Sequence, residues 1–176
     1  NTSASGYTQG DIFFATRGTA NIAPTEKVRI TSAGNVGIGN DAPANGLEVS
    51  KSSASPAIEI SCWSATAGHG PSLSFTKSQD TVVNNYNSTA TDERLGDIIA
   101  HGMATYDDPG NSGSGALSEA AAIRFRQDGN PTYSYVPGRI EFWTGTVADT
   151  VMEQVMVMDS SQFVGIGTTS PDDRLH

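Results

Sequence analysis

The feature that most constrains this chain is an internal repeat at an offset of 128 residues. Residues 10–48 read GDIFFATRGTANIAPTEKVRITSAGNVGIGNDAPANGLE and residues 138–176 read GRIEFWTGTVADTVMEQVMVMDSSQFVGIGTTSPDDRLH. They align without a gap, and 12 of the 39 positions are identical, among them Ile12/Ile140, Phe14/Phe142, Val36/Val164, Ile38/Ile166 and Leu47/Leu175. The glycine pair Gly37 and Gly39 recurs as Gly165 and Gly167, and Pro43 recurs as Pro171. The kept positions are alternating apolar residues and residues that steer the backbone, while those between them differ. Retained geometry under drifting surface chemistry is the behaviour of a structural module. The repeat breaks off in mid-pattern at both ends, so further copies are expected beyond them. The division expected is residues 1–49 as the end of one repeat, with its turn unit at 26–43, and residues 50–176 as the next, ending in a second turn unit at 154–171.

Period-two alternation dominates the rest, the pattern of strands with one buried face. Ile12 and Phe14, Val28 and Ile30, Val36 and Ile38, Ile58 and Ile60, Leu73 and Phe75, and Ile123 and Phe125 all follow it. Residues 96–100 echo the Gly-x-Ile opening at Gly10 and Gly138. Clusters of Gly, Ser, Asn, Asp and Pro at residues 67–71, 84–89, 107–115 and 128–131 separate these runs, and their chemistry is that of turns and exposed loops. Ser118–Ala122 is rich in helix formers, but Ala121, Ile123 and Phe125 continue a period-two face, and a strand is expected there. The chain reads as all-β.

Composition bears on what such strands can do alone. Much of the 36% apolar content is Ala, which buries little surface. An 18.3 kDa chain built this way has a thin core, and burial against identical neighbours is the natural remedy. Short strands with one apolar face do not make a stable isolated sheet. The net charge of −9, with only ten Lys and Arg, argues against nucleic acid as a partner and against docking on anionic membranes. No apolar run approaches the length of a membrane-spanning helix. Cys62 is the single cysteine, so no intrachain disulfide is possible.

The residues 26–39, EKVRITSAGNVGIG, followed by Pro43, resemble a signature of the form ERMRI-DSSGNVGIGTTSP that recurs in bacteriophage tail fibres. Residues 156–171, MVMDSSQFVGIGTTSP, are similar, and the middle segments Gly96–Ile99, Ala120–Arg124 and Pro137–Phe142 follow the order of the same repeats. The second copy departs from the signature at Val155 and Val157, where Arg is commoner, and at Gln162-Phe163 in place of Gly-Asn, which puts its turn geometry in question. The resemblance implies an all-β, elongated homotrimeric fibre of short strands, with repeated β modules and long Gly/Ser/Asn-rich loops. It implies a virion component without catalytic activity or cofactor, whose partners are its own copies, other fibre or baseplate proteins and, at a receptor-binding end, host surface glycans. Three chains about one axis would bury Ile12, Val36, Ile38, Ile98, Ile140, Val164 and Ile166 against their symmetry mates, each side chain contributing about 1.5–3 kcal/mol when fully buried. Gly37, Gly39, Pro43, Gly165, Gly167 and Pro171 would form the structural turns. A trimeric bacterial surface adhesin or extracellular filament and a glycan-degrading tailspike are the alternatives.

Reactive constellations are thin. Residues 37–42 match the dinucleotide pattern G-x-G-x-x-A, but Pro43 and Asn45-Gly46 prevent the helix that chemistry needs. Residues 110–115 resemble a serine-protease nucleophile loop, with only the loop residue His69 upstream as a base. His69, His101 and His176 share no ligand spacing; His101, tripled about an axis, is the one metal candidate. Asp107-Asp108 and Asp172-Asp173 bring too few oxygens for calcium. Trp63, Tyr86, Tyr106, Tyr133, Tyr135 and Trp143 could stack on sugars. A tailspike reading would need a carboxylate pair drawn from Glu59, Asp97 and Glu141, two of which are expected at outward strand positions.

Overall fold

A computed structural model describes residues 10–104, 116–146 and 151–174. The expected protease-like loop at 110–115, Tyr106, the Asp107-Asp108 pair and His176 lie outside the described residues. Nine strands and no helix occur among the described residues: β1 (Ile12–Thr16), β2 (Thr25–Ile30), β3 (Val36–Ile38), β4 (Leu47–Val49), β5 (Arg94–Ala104), β6 (Ala116–Gln127), β7 (Gly138–Gly145), β8 (Met152–Met158) and β9 (Val164–Ile166). They form a four-stranded sheet, β1-β2-β3-β4, and a five-stranded sheet, β5-β6-β7-β8-β9. The chain divides into two compact units, Asn1–Ser72 and Leu73–His176, each holding one sheet. Ser118–Ala122 lies inside β6, as the alternation of its flanking apolar residues requires.

The two similar stretches pair in the same way. Ile12 pairs with Ile30 and Phe14 with Val28; 128 residues on, Ile140 pairs with Met158 and Phe142 with Met156. The register shifts between Phe14 and Ala15 and, at the equivalent place, between Phe142 and Trp143. This bulge leaves Lys27 and Val155 unpaired in the ladder, and their carbonyls accept from the Gly39 and Gly167 amides at 2.9 and 3.0 Å. The Val36 amide donates to Gly46 and the Val164 amide to Arg174, both at 3.0 Å. In the first copy this bond starts a parallel pairing of β3 with β4, closed by the Ser50 amide on Ile38.

The turn between β2 and β3 has Gly34 at φ 88°, with the Gly34 amide on the Thr31 carbonyl and the Thr31 amide on Asn35. The second copy makes the same two bonds with Gln162 and Asp159, and Gln162 adopts φ 67°. The Gly→Gln departure therefore leaves the turn shape intact at the cost of a left-handed non-glycine residue, about 1–2 kcal/mol. The Asp159 carboxylate compensates by accepting from the Ser161 and Phe163 amides at 2.9 and 2.8 Å. Gln162→Gly is expected to raise stability by about 0.5–1 kcal/mol, the relief being partly offset by the freer unfolded chain. A rise in the urea unfolding midpoint at constant slope checks this.

Two sequence expectations fail in the single chain. Residues 57–63 and 73–75 alternate as strands do, yet residues 50–93 contain no strand. A strand exists only by bonding to a neighbour, and neither segment meets a free ladder in its own unit. Phe75 instead lies on Gly96 and stacks on Phe125, ring centroids 6.1 Å apart. The segment is tied down at its end by Gln127, whose fully buried side chain bonds the Thr89 hydroxyl and carbonyl and the Gly129 carbonyl.

Candidate functional site

Side chains directly opposite one another across a ladder share a face, and faces alternate along each strand. In the five-stranded sheet this aligns Ile98, Ile123, Phe142, Met156 and Ile166 in one row across all five strands. The next row on the same face is Gly96, Phe125, Ile140, Met158 and Val164. In the four-stranded sheet the corresponding rows are Phe14, Val28, Ile38 and Val49, and Ile12, Ile30, Val36 and Leu47. All seven residues expected to pack on an axis fall on these two apolar faces. The sequence reading saw Val28 and Ile30 alternate but left them out of the axial set, and it missed Met156 and Met158, although the 128-residue offset pairs Val28 with Met156 and Ile30 with Met158. Identity was the signal followed, and similarity of kind would have found them.

The opposite faces carry the charge, and that of the five-stranded sheet is the more buried one. Asp97, Arg124 and Glu141 lie in one row with Val157 and Gly165. Glu141 is 2% exposed, accepts from Arg139 at 2.6 Å and from the Trp143 indole N–H at 2.9 Å, and is ion-paired with Arg126 at 3.3 Å, an Nε that has no hydrogen-bond partner. The Arg124 guanidinium lies 4.4 Å from the Trp143 ring and bonds Glu119 at 3.0 Å. Arg139 also reaches Asp92 at 2.6 Å and Asp128 at 3.1 Å. The smaller sheet repeats the theme with Arg29, which takes Glu26 through two bonds and Asp11 through one, 5.9 Å from the Phe13 ring. The expectation that two of Glu59, Asp97 and Glu141 stand outward fails: Glu59 is exposed, but the Asp97 side chain is 9% and Glu141 2% exposed, because long Arg and Trp side chains lie flat across their face. The alternation was legible; which face the chain itself would close was not.

The turn residues serve this charged side. Gly37 and Gly165 are buried in the charged-face rows, and a Cβ at Gly37 would overlap the Asn40 carbonyl oxygen and press on Pro43. The loop after each Gly-Ile-Gly folds back over the sheet, with Pro43 buried and its carbonyl receiving Asn35 at 3.1 Å. Gly39 and Gly167, at φ 74° and 72°, make the reversal. Pro171 lies half-buried at the equivalent point of the second loop. No helix follows either loop, so the G-x-G-x-x-A match has no dinucleotide geometry.

Several carboxylates are held below their usual range. For Asp11 the Arg29 hydrogen bond is the main cause, followed by the Ser32 amide; for Glu93 it is Lys77, then the Ala90 amide. Burial pushes Asp128 up, but the Ser160 bonds and Arg139 outweigh it and the net shift is down. Arg139 stays charged, its carboxylate partners overcoming partial burial. Depressed groups stabilise the fold above their ordinary values of 3.8 and 4.5, and that contribution disappears as pH falls through the lower folded values. Stability in urea is therefore expected to change little between pH 7 and 5 and to fall below about pH 4.5, which a denaturation series across that range checks.

The remaining candidates do not converge. His101 is exposed on β5 opposite Glu119, and the described residues contain no group of three His, Cys, Asp or Glu able to hold a metal. His69 bonds the Ser64 hydroxyl in an exposed loop. Asp97 is ion-paired with Arg94 at 2.9 Å, and Glu59 bonds only Ser61 at 2.5 Å. Trp63, Tyr86, Tyr133 and Tyr135 are exposed, whereas Trp143 is half-buried over Arg124.

What is left open is the apolar side. Ala122 and Val157 are the only fully buried hydrophobic residues among those described, and both lie on the charged faces. Ile98 is 50% and Ile166 is 64% exposed.

No family model and no curated protein sequence matches the chain. Among solved structures it is similar to the carboxy-terminal domain of the bacteriophage T5 L-shaped tail fibre, with a TM-score of 0.66, 11% identity, and coverage of 98% of this chain and 70% of that one. The same domain solved with its intra-molecular chaperone domain matches with the same score and identity, and the chain spans 48% of that structure's length. At this identity the likeness is one of fold.

Proposed function

We propose that this chain is a structural segment of a bacteriophage tail fibre, in which three copies pack their apolar faces around a common axis to form an elongated shaft. The observation that carries the reading is the fold: 98% of the chain follows a tail-fibre domain, at a TM-score of 0.66. The open apolar rows support the assembly, since closing them on symmetry mates removes from water the surface that a lone chain leaves exposed. The repeated turn units make the shaft modular, each copy adding the same bulge, turn and fold-back loop. Function then lies in rigidity and spacing, carrying a host-receptor-binding end away from the virion, and not in catalysis; two of the three carboxylates a tailspike reading would draw on, Asp97 and Glu141, are held in ion pairs. Three chains carry a formal charge of −27, three times −9, which keeps neighbouring shafts apart.

Sedimentation velocity of the intact chain tests the proposal. The expected result is a mass near three times 18.3 kDa with a frictional ratio well above that of a compact sphere. A compact species of 18.3 kDa would overturn it.

A further inference from the structure

Beyond a turn at residues 52–53, residues 55–64 neither donate to nor accept from any backbone group among the described residues. Stretches this long without structure of their own are uncommon in compact domains and need a reason. Within them, Ala57–Trp63 keeps a strand's alternation, and the Ser61 hydroxyl bonding Glu59 two residues back places both on one side. The other side is Ile58, Ile60 and Cys62, a continuous apolar stripe; Ile58 is 72% exposed and Cys62 is exposed too.

We propose that Ala57–Trp63 is an intersubunit strand, whose Ile58–Ile60–Cys62 stripe packs against the same stripe of neighbouring copies of this chain. The inference rests on the fibre reading above. The occupant follows from composition. From Ser52 to Thr76 the only charged residue is Glu59, and it lies on the side away from the stripe. Identical copies can therefore abut there without like-charge repulsion, while nothing on the stripe would select a partner of different chemistry. Parallel copies about one axis bring equal residues to equal height, so Ile58, Ile60 and Cys62 meet their own counterparts in three layers. The strand pattern of a segment that has no partner in its own chain is thereby explained.

Cys62, the single thiol, is a built-in probe. The native protein is first sized by sedimentation, then treated with a maleimide, and separately with a copper–phenanthroline oxidant before non-reducing electrophoresis. The expected result is a species of three chains in which maleimide reacts at least about tenfold more slowly than in the urea-unfolded chain. Oxidation should link two of the three chains through Cys62 and leave the third single, because three thiols make one disulfide. Cys62→Ser should abolish the link without changing the sedimented mass. Three assembled chains whose Cys62 reacts at the unfolded rate, or is shielded but never cross-linked, would overturn the proposal while leaving the fibre reading standing. A single-chain species would instead remove the fibre reading on which the proposal rests.

Discussion

Ile98→Asp is expected to convert the three-chain species into single chains while leaving the fold of each chain in place. Ile98 is half exposed at the β5 end of the row that runs through Ile123, Phe142 and Met156 to Ile166, so a carboxylate there stays in water in the lone chain. In the assembly proposed above the same position faces symmetry mates across an apolar contact. Each copy then carries a charge whose effective burial penalty is several kcal/mol, multiplied by three and unrelieved by any cation on that face. Such a sum exceeds what the remaining rows could recover. The measurement is sedimentation velocity at matched concentration, with circular dichroism to confirm retained strand content. Tyr133→Asp, at a fully exposed loop position, controls for the added negative charge and should remain assembled. If Ile98→Asp sediments as the parent does, the apolar rows are not the contact, and the adhesin and tailspike alternatives return with a different packing to explain.

Glu141→Ala should destabilise the chain by about 3–5 kcal/mol, because it strips the partner from a buried arrangement and leaves cations behind. Arg126, Arg139 and the Trp143 indole all point at this one carboxylate. Arg139 keeps Asp92 and Asp128, but Arg126 retains only the Asp92 carbonyl, at 3.0 Å. Glu141→Gln keeps the shape and an acceptor for the indole and should cost less, about 1.5–3 kcal/mol, from the weakened charge-assisted bonds. Urea unfolding at one protein concentration reads both, since an assembly's apparent stability moves with concentration. A loss under about 1 kcal/mol for the alanine variant would mean that the network is hydrated like a surface pair. The closed charged face would then not be what holds the five-stranded sheet together.

Gly37→Ala completes the set on the turn side. The new Cβ would overlap the Asn40 carbonyl, which belongs to backbone and cannot swing aside. A loss of about 1–3 kcal/mol is expected from the forced shift of the fold-back loop, read as a lower urea midpoint.

The sequence by itself determined the strand periodicity, the 128-residue module and the places where the backbone turns. These are local matters: alternation records which residues share a face, and Gly, Asn and Pro record where φ must be unusual. It also placed Ile12, Ile38, Ile98 and Ile166 on common faces, since pairing is dictated by period two once the strands are in register. Three things were decided only by the tertiary structure. The Gln162 turn kept its shape because Asp159 supplied bonds that no local pattern announces. Ala57–Trp63 has a strand's pattern without a strand's bonds, because pairing needs a second edge and none of the described strands pairs with it. And the face closed within the chain is the charged one, around Glu141, Arg124 and Trp143. Alternation says that two faces differ; it does not say which one a chain can cover unaided. Long Arg and Trp side chains can lie across a sheet and cover a carboxylate such as Glu141, whereas Ile, Val and Met side chains cannot close over themselves. The apolar face therefore stays open in the single chain, and the rule that apolar means buried would hold only in the assembly proposed above.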